Sequence, residues 1–235
     1  MSDHSKKTPA APGTSGEVAR FLEQMNRLPA TGSRRGRLIF AMDATASRQP
    51  SWDRAAHVQA QMFDETAKLG GLDVQLAYFR GYGEFHATSW RSDPRALLQA
   101  MTAVHCASGL TQIERVIKHT LAEHRHRAVN ALVYVGDFVE EDIETLTRRA
   151  GELGVHGVPA FLFHEGDDPL TAHAFQSIAR LSGGAYSRFN ADSPQQLREL
   201  LGAVAVYASG GLKALDDYAR RHAQLAPLLT HQLKR

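Results

Sequence analysis

Short apolar runs alternate with amphipathic segments along most of the chain. From residue 37 onward, each run is four to six residues long, and the segments between the runs repeat apolar side chains at the three- and four-residue spacing of a helix. This alternation is typical of a parallel sheet that is covered by helices on both faces. The runs predict strands at residues 38–42, 74–79, 85–90, 131–135, 160–163 and 186–189.

The third of these strands differs from the others. The segment Arg-Gly-Tyr-Gly-Glu before it resembles a hairpin turn, and residues 85–90 alternate between apolar and polar side chains. We therefore expect a doubly wound, mostly parallel α/β sheet of six strands with one antiparallel edge strand. The helical spacing predicts helices at residues 17–28, 52–66, 94–103, 112–124, 142–153, 171–181, 194–208 and 212–225.

The chain divides into one main domain and two short extensions. Residues 1–16 are rich in Ser, Pro, Gly, Thr and Lys and cannot bury enough surface to offset their ordering entropy, so they predict a flexible tail. The expected organisation is this tail with a short amphipathic helix at residues 1–36, the α/β domain at residues 37–208, and a C-terminal helical extension at residues 209–235.

The composition excludes several classes of function. The 235 residues carry 27 Lys and Arg against 25 Asp and Glu, and a net charge of +2 is too small to indicate nucleic acid as the main partner. One cysteine, Cys106, rules out an intrachain disulfide framework and suits a reducing compartment, so we expect a cytoplasmic protein. The start of the chain lacks an apolar core for export, and no later run is long enough to cross a membrane.

Oxygen-bearing side chains follow two of the predicted strands. In an open parallel sheet, ligands bind outside the carboxyl ends of the strands, where the strand order reverses. The first strand leads into Asp43, with Thr45 and Ser47 at alternate positions after it, and the fourth strand is followed by Asp137. If these two strands are neighbours, the two carboxylates meet across the crevice, and Thr111 lies in a loop beside them.

Two carboxylates and three hydroxyls, without His or Cys, form an oxygen ligand set for a hard cation. Mg²⁺ fits best because it needs few protein ligands and completes its octahedron with water and an incoming oxygen, and Mn²⁺ is an alternative. Taken singly, each residue is better explained by helix capping or turn formation, and residues 111–114 have the form of a capping box. Their order and their placement on the elements that one site requires favour a metal site.

These residues resemble the metal ion-dependent adhesion site (MIDAS) of von Willebrand factor A (VWA) domains. That site uses a D-x-S/T-x-S turn, a loop Thr and an Asp after the fourth strand, which correspond here to Asp43, Thr45, Ser47, Thr111 and Asp137. Residues 108–111 are similar to the family's Gly-Gly-Thr turn, with Leu110 in place of a glycine. Residues 178–186 are similar to its late helix, glycine pair and strand.

The resemblance implies a binding module rather than an enzyme. Its ion would use an open coordination position to bind an Asp or Glu that another protein presents. Modules of this kind often act beside an ATPase or a chaperone. Phe138, directly after Asp137, could form an exposed apolar rim against a docked partner.

A second interpretation assigns the same residues to catalysis. An Asp after the first strand with Thr two residues later also resembles the phosphoryl-accepting turn of haloacid dehalogenase-like phosphatases, and residues 136–142 resemble their acidic magnesium loop. Asp43 would then be the nucleophile. Against this, Thr45 stands where those enzymes have an acid/base carboxylate, and Lys118 lies inside a predicted helix instead of at a strand end.

Two further groups of side chains have structural interpretations. The acidic residues at 140–142 are typical of the first turn of a helix, where negative charge is favourable. His119, His124 and His126 lie near a predicted helix end, where a solvated role is favoured over a zinc site. We also expect Trp52 to belong to the core and Cys106 to be an inert buried thiol.

Overall fold

The predicted alternation of strands and helices is present in a computed structural model of the chain. The structure describes residues 15–25, 35–66, 69–189 and 194–224. The strands are β1 (Gly36–Asp43), β2 (Leu72–Arg80), β3 (Glu84–Ala87), β4 (Ala131–Gly136), β5 (Ala160–Glu165) and β6 (Ala185–Phe189). The helices are α1 (Ser15–Met25), α2 (Gln49–Val58), α3 (Ala60–Thr66), α4 (Pro94–Thr102), α5 (Ile113–His126), α6 (Ile143–Val155), α7 (Pro169–Ser182) and α8 (Pro194–Gln224).

The six strands form one sheet in the order β3-β2-β1-β4-β5-β6. Only the pairing of β2 with the edge strand β3 is antiparallel among these strands, which confirms the predicted fold class. β1 and β4 are neighbours at the centre of the sheet. The strands continue outward from β1 through β2 and β3, and outward from β4 through β5 and β6. The carboxyl ends of β1 and β4 are therefore neighbours, as the sequence predicts.

Alternate side chains of the sheet enter two separate cores. On one face, Leu38 and Phe40 of β1 pack in a cluster with apolar residues of α1, α2, α4 and α8. On the other face, Ile39 and Ala41 pack with α5, α6 and α7. This burial of both faces explains why the strands read as continuous apolar runs.

The two extensions contact the domain. Phe21 of α1 is buried against Phe161 and Phe163, so the predicted amphipathic helix packs on the sheet. Gly211, with a φ of 67°, breaks α8 into two helical stretches, between the helices predicted at residues 194–208 and 212–225, and Tyr218 beyond it is buried. Most of the predicted tail, residues 1–14, and residues 26–34 between α1 and β1 lie outside the described residues. The division at residues 37 and 208 stays a prediction.

Two elements differ from the sequence prediction. The helix expected over residues 52–66 is two helices, α2 and α3, with a turn at Gln59, whose side-chain amide donates to the Pro94 carbonyl at 3.1 Å. The edge strand begins at Glu84 and ends at Ala87 instead of extending to residue 90, because the Thr88 hydroxyl accepts the Leu76 N–H and interrupts the backbone ladder. Within the described ranges, no helix is both long and apolar enough to cross a membrane.

Candidate functional site

Asp43 is the last residue of β1 and lies almost completely buried at the carboxyl edge of the sheet, with 1% of its surface exposed. Its Oδ1 accepts a hydrogen bond from the Thr45 N–H at 2.7 Å, which folds the following turn back over the strand end. Burial raises the pKa of Asp43 to about 6, and the nearby Asp137 acts in the same direction, while the bonds from Thr45 oppose the rise. The carboxylate is therefore poorly compensated in the protein alone.

Asp137 follows β4 and faces the turn after β1. The Ser47 hydroxyl donates to Asp137 Oδ2 at 3.3 Å, so the loops after the two neighbouring strands are directly bonded. The guanidinium of Arg48 forms an ion pair with the same carboxylate, with Nη1 3.8 Å from Oδ2. Asp137 is thus held between a hydroxyl and a positive charge.

Thr111 reaches the site through the loop before α5. Its N–H donates to a carboxylate oxygen of Glu140 at 2.8 Å, and its Oγ1 accepts the Glu140 N–H at 3.1 Å. These two reciprocal bonds fasten the Thr111 loop to the segment after Asp137. One lone pair of the Thr111 hydroxyl oxygen is left for another contact.

The N-terminus of α5 is capped from outside the helix. The Glu141 carboxylate accepts the N–H groups of Ile113 and Glu114, at 2.6 and 2.8 Å, and no side chain within residues 111–114 caps the helix. The capping-box interpretation of these residues is therefore wrong. Contrary to the sequence prediction, none of residues 140–142 lies in the first turn of α6: Asp142 is its N-cap, and Glu140 and Glu141 bond to the Thr111 loop and to α5.

A close backbone approach sets the position of the Thr111 loop. A Cβ atom on Gly109 would lie 2.1 Å from the carbonyl oxygen of Gly81 in the turn between β2 and β3. No side chain fits there, so glycine is required for the loop to lie against this turn. Leu110 stands where the Gly-Gly-Thr turn of VWA domains has its second glycine. Its side chain is half exposed.

A cleft of about 290 Å³ opens between these loops. All five predicted ligand residues line it, together with Ala46, Ser108, Gly109, Phe138 and Glu140. The structure therefore brings the five side chains to one place, from β1, β4 and the loop before α5. Their role as metal ligands stays a prediction.

The sequence did not indicate that a positively charged side chain, that of Arg48, is buried next to this cleft. Arg48 ends the short 3₁₀ helix Ala46–Arg48 and is 1% exposed. Its Nη1 bonds to Glu165 at the end of β5, and Glu165 also contacts Arg54 at 3.5 Å. Only the position of Arg48 directly after the D-x-T-x-S turn could have indicated its proximity to the site, because nothing in the local pattern marks this arginine as buried.

The donor set in the cleft suits a hard cation. Two carboxylates and three hydroxyls line it. Nowhere in the described ranges, the cleft included, do three or more His, Cys, Asp or Glu side chains form a metal-binding group, so hydroxyls would have to supply part of the ligand set. A cation in the cleft would therefore bind through a few protein oxygens and complete its shell with water or a ligand, as Mg²⁺ does.

The residues needed for phosphoryl transfer are less well represented. The side chain of Lys118 is half exposed and its Nζ lies 2.8 Å from Glu114, so it is occupied on the surface of α5. The half-buried Cys106 is also poorly suited to nucleophilic chemistry, because burial raises the pKa of its thiol to about 11.

The comparisons with known proteins bear on the fold. The sequence matches no protein-family model and no curated protein. Similar solved structures include the SpRpn10 VWA domain, at 15% identity and a TM-score of 0.56, with 71% of this chain and 93% of that domain covered. An aerotolerance-related membrane protein from Bacteroides fragilis is 15% identical, with a TM-score of 0.54 and coverage of 79% of this chain and 99% of the other.

A third similar structure carries a metal at a motif of its own. Proximal thread matrix protein 1 from the mussel byssus, solved with a zinc-occupied MIDAS motif, is 14% identical with a TM-score of 0.56. The match covers 74% of this chain and 46% of that protein. At this identity the likeness shows the fold alone, which is a VWA-type α/β fold.

Proposed function

We propose that the chain is a metal-dependent protein-binding module with Asp43, Thr45, Ser47, Thr111 and Asp137 as the residues that hold Mg²⁺, or Mn²⁺ in its place. The observation that carries the proposal is the convergence of these five side chains in one cleft at the carboxyl edge of β1 and β4. Bound Mg²⁺ would supply an open coordination position for a carboxylate oxygen of another protein.

The chain's own residues account for the rest of the site. Ser47 and Asp137 are already bonded, and the Glu140 bonds hold Thr111 in place, so little rearrangement is needed to assemble the ligand set. Asp43 and Asp137 repel each other in the protein alone, and this repulsion favours a cation between them. Without a cation, the same two charges would reject an acidic side chain.

The partner, in this proposal, is a protein that offers one Asp or Glu. Action beside an ATPase or a chaperone, and a cytoplasmic location consistent with the single cysteine, are part of the same proposal. Binding is proposed in place of catalysis because Thr45 cannot act as an acid/base group at the position where a phosphatase would need one.

The experiment is a Mn²⁺ titration of the ¹⁵N-labelled protein, read by paramagnetic broadening of amide resonances. We expect broadening to begin at residues 45–47, 111 and 137, and Mg²⁺ to reverse it by competition. Asp137→Asn should weaken Mg²⁺ binding by about tenfold or more in calorimetry, because it removes one of only two charged ligands. Asp64→Asn, on the exposed surface of α3, is the matched control and should bind as the wild type does.

Three outcomes would contradict the proposal. Broadening centred elsewhere would place the cation outside the cleft, and equal Mg²⁺ affinity of wild type and Asp137→Asn would remove the carboxylate from the ligand set. Turnover of p-nitrophenyl phosphate that depends on Asp43, with a fluoroberyllate adduct at that residue, would establish the phosphatase interpretation instead. Circular dichroism of each variant separates loss of binding from loss of fold.

A further inference from the structure

Exposed apolar side chains are unevenly distributed over the described part of the chain. Six large hydrophobic residues there are exposed: Tyr82, Leu110, Phe138, Val155, Leu170 and Leu181. Val155 ends α6 and Leu181 lies near the end of α7, both at the amino edge of the sheet. The other four lie after strands, before α5 or in the first turn of α7, all at the carboxyl edge. The carboxyl edge is the edge that carries the cleft.

One of these side chains lines the cleft and two lie on the loops next to it, and we call the three the apolar rim: Tyr82, Leu110 and Phe138. Phe138 lines the cleft directly and is 47% exposed. Leu110, 52% exposed, donates its N–H to the Gly81 carbonyl at 3.4 Å, which places it beside Tyr82 in the adjoining turn, where Tyr82 is 85% exposed. Gly109 both lines the cleft and packs on Gly81, so the rim and the cleft are continuous.

The loops that carry the rim residues are held by contacts of other residues. The rim side chains themselves take no part in these contacts. The Thr111 bonds to Glu140 hold the loop that carries Leu110, and the Gly109 contact with Gly81 holds the turn that carries Tyr82. Exposed apolar side chains on loops fixed in this way are typical of a surface that another protein covers.

The charges around the cleft limit what such a partner can present. Asp43, Asp137 and Glu140 all line the cleft, and Glu140 is exposed at its mouth. A cation held by Asp43 and Asp137 would offset those two charges, but Glu140 would still repel a second acid beside the first. The complementary partner therefore has one carboxylate with apolar neighbours, not a run of acidic residues.

We propose that the apolar rim is the second half of the docking surface, and that the partner is a protein segment in which a single Asp or Glu is flanked by large apolar side chains. This inference rests on the proposed metal-dependent function. The carboxylate enters the cleft, and the flanking side chains cover Tyr82, Leu110 and Phe138. The rim thus sets specificity among acidic partners, while the cleft sets the requirement for the cation.

The experiment uses three acetylated, amidated heptapeptides with Gly-Gly at each end. Their central residues are Leu-Asp-Phe, Gly-Asp-Gly and Leu-Asn-Phe, and each is titrated into the ¹⁵N-labelled full chain with Mg²⁺ or with chelator. We expect the Leu-Asp-Phe peptide to bind about tenfold more tightly than the Gly-Asp-Gly peptide. The Asn peptide and the chelated protein should show no binding at the cleft.

The test variant replaces the three rim residues with serine: Tyr82→Ser, Leu110→Ser and Phe138→Ser. The variant should still bind Mg²⁺, because none of the three side chains supplies an oxygen ligand to the proposed site, but the tenfold preference should disappear. The control variant, Val155→Ser with Leu181→Ser, removes exposed apolar surface at the opposite edge and should keep the preference.

The outcomes separate this inference from the function on which it rests. Failure of the wild type to bind Mg²⁺ overturns both. Mg²⁺ binding with equal, measurable affinity for the Leu-Asp-Phe and Gly-Asp-Gly peptides overturns the rim alone, as does a preference that survives in the serine variant. Mg²⁺ binding without detectable affinity for either Asp peptide overturns the rim and the proposed docking of a carboxylate on the cation. Partitioning onto phosphatidylcholine vesicles that is lost in the serine variant would assign the rim to a membrane surface and would also overturn the inference.

Discussion

The ion pair between Arg48 and Glu165 predicts an asymmetric response to mutation. The Arg48 side chain is 2% exposed and that of Glu165 is 15% exposed. Nη1 of Arg48 bonds to Glu165, but Nε and Nη2 have no hydrogen-bond partner among the described residues. In Glu165→Met, the buried guanidinium would keep only Asp137, at 3.8 Å, as an ion-pair partner in the described part of the chain.

The two single variants should therefore differ in cost. Leaving one member of a buried pair without its partner costs about 3–5 kcal/mol, and the remaining Asp137 contact places Glu165→Met near the lower end, at about 3 kcal/mol. Arg48→Met leaves Glu165, which is partly exposed and still lies 3.5 Å from Arg54, so we expect a loss of about 1 kcal/mol. The double variant removes both charges and should also lose about 1 kcal/mol.

Urea unfolding followed by far-ultraviolet circular dichroism measures these free energies. A loss of about 3 kcal/mol corresponds to a fall in melting temperature of about 6–12 °C for a domain of this size. Glu152→Met is the matched control, because Glu152 pairs with Arg149 at 2.8 Å on the exposed surface of α6, and its loss should stay within about 0.5 kcal/mol. If Glu165→Met costs no more than Arg48→Met, or the double variant is as unstable as Glu165→Met, the guanidinium is not an uncompensated buried charge and the reasoning fails.

Three further perturbations test the packing and the titration of the fold. Gly136→Ala places a Cβ 2.8 Å from the Tyr134 ring on the same strand and should lower the free energy of unfolding in urea by about 1–3 kcal/mol. The control is Gly151→Ala in α6, whose Cβ meets nothing within 4 Å. It should keep or raise that free energy, by up to about 1 kcal/mol, because alanine favours a helix over glycine. Phe21→Ala should cost about 3 kcal/mol and speed proteolysis of α1, and unchanged cleavage would contradict its docking on the sheet. Burial lowers the pKa of His119 although Glu123 opposes the shift, so the unfolded state takes up the proton and stability should fall as the pH drops below about 6.5. The fall should be shallower in His119→Gln, and this difference carries the test, because the raised pKa of Asp43 changes stability in the opposite direction over the same range.

The strands and the place of the cleft could be predicted because they depend on local pattern and on a topological rule. Continuous apolar runs mark β1 and β4 as buried on both faces, and the doubly wound order makes their carboxyl ends neighbours. Asp43 and Asp137 then meet without any further information from the sequence. The antiparallel edge strand was likewise visible in the glycine-containing turn before it.

The contacts that hold the cleft together could not be predicted, because their partners are distant in sequence. Glu141 caps α5 from 27 and 28 positions away, in place of the local capping box that the sequence of residues 111–114 predicts. Arg48 is buried only because Glu165 comes from β5, 117 positions later. His119 was expected to be solvated, but it is half-buried and bonds to Gln75 of β2 at 2.8 Å.

Charge explains why these distant contacts occur together at one edge of the sheet. Asp43 is buried at the end of β1, and Arg48 at the same edge is neutralised mainly by Glu165, so the carboxylates of Asp43 and Asp137 are left with little compensation. Hydrogen bonds from the Thr45 backbone N–H to Asp43 and from the Ser47 hydroxyl to Asp137 supply part of this compensation. A fold that places two carboxylates in this arrangement, fixed by bonds between three loops, retains an unfavourable local charge that a cation would relieve, and the stability that the cation adds should rise with its concentration by mass action.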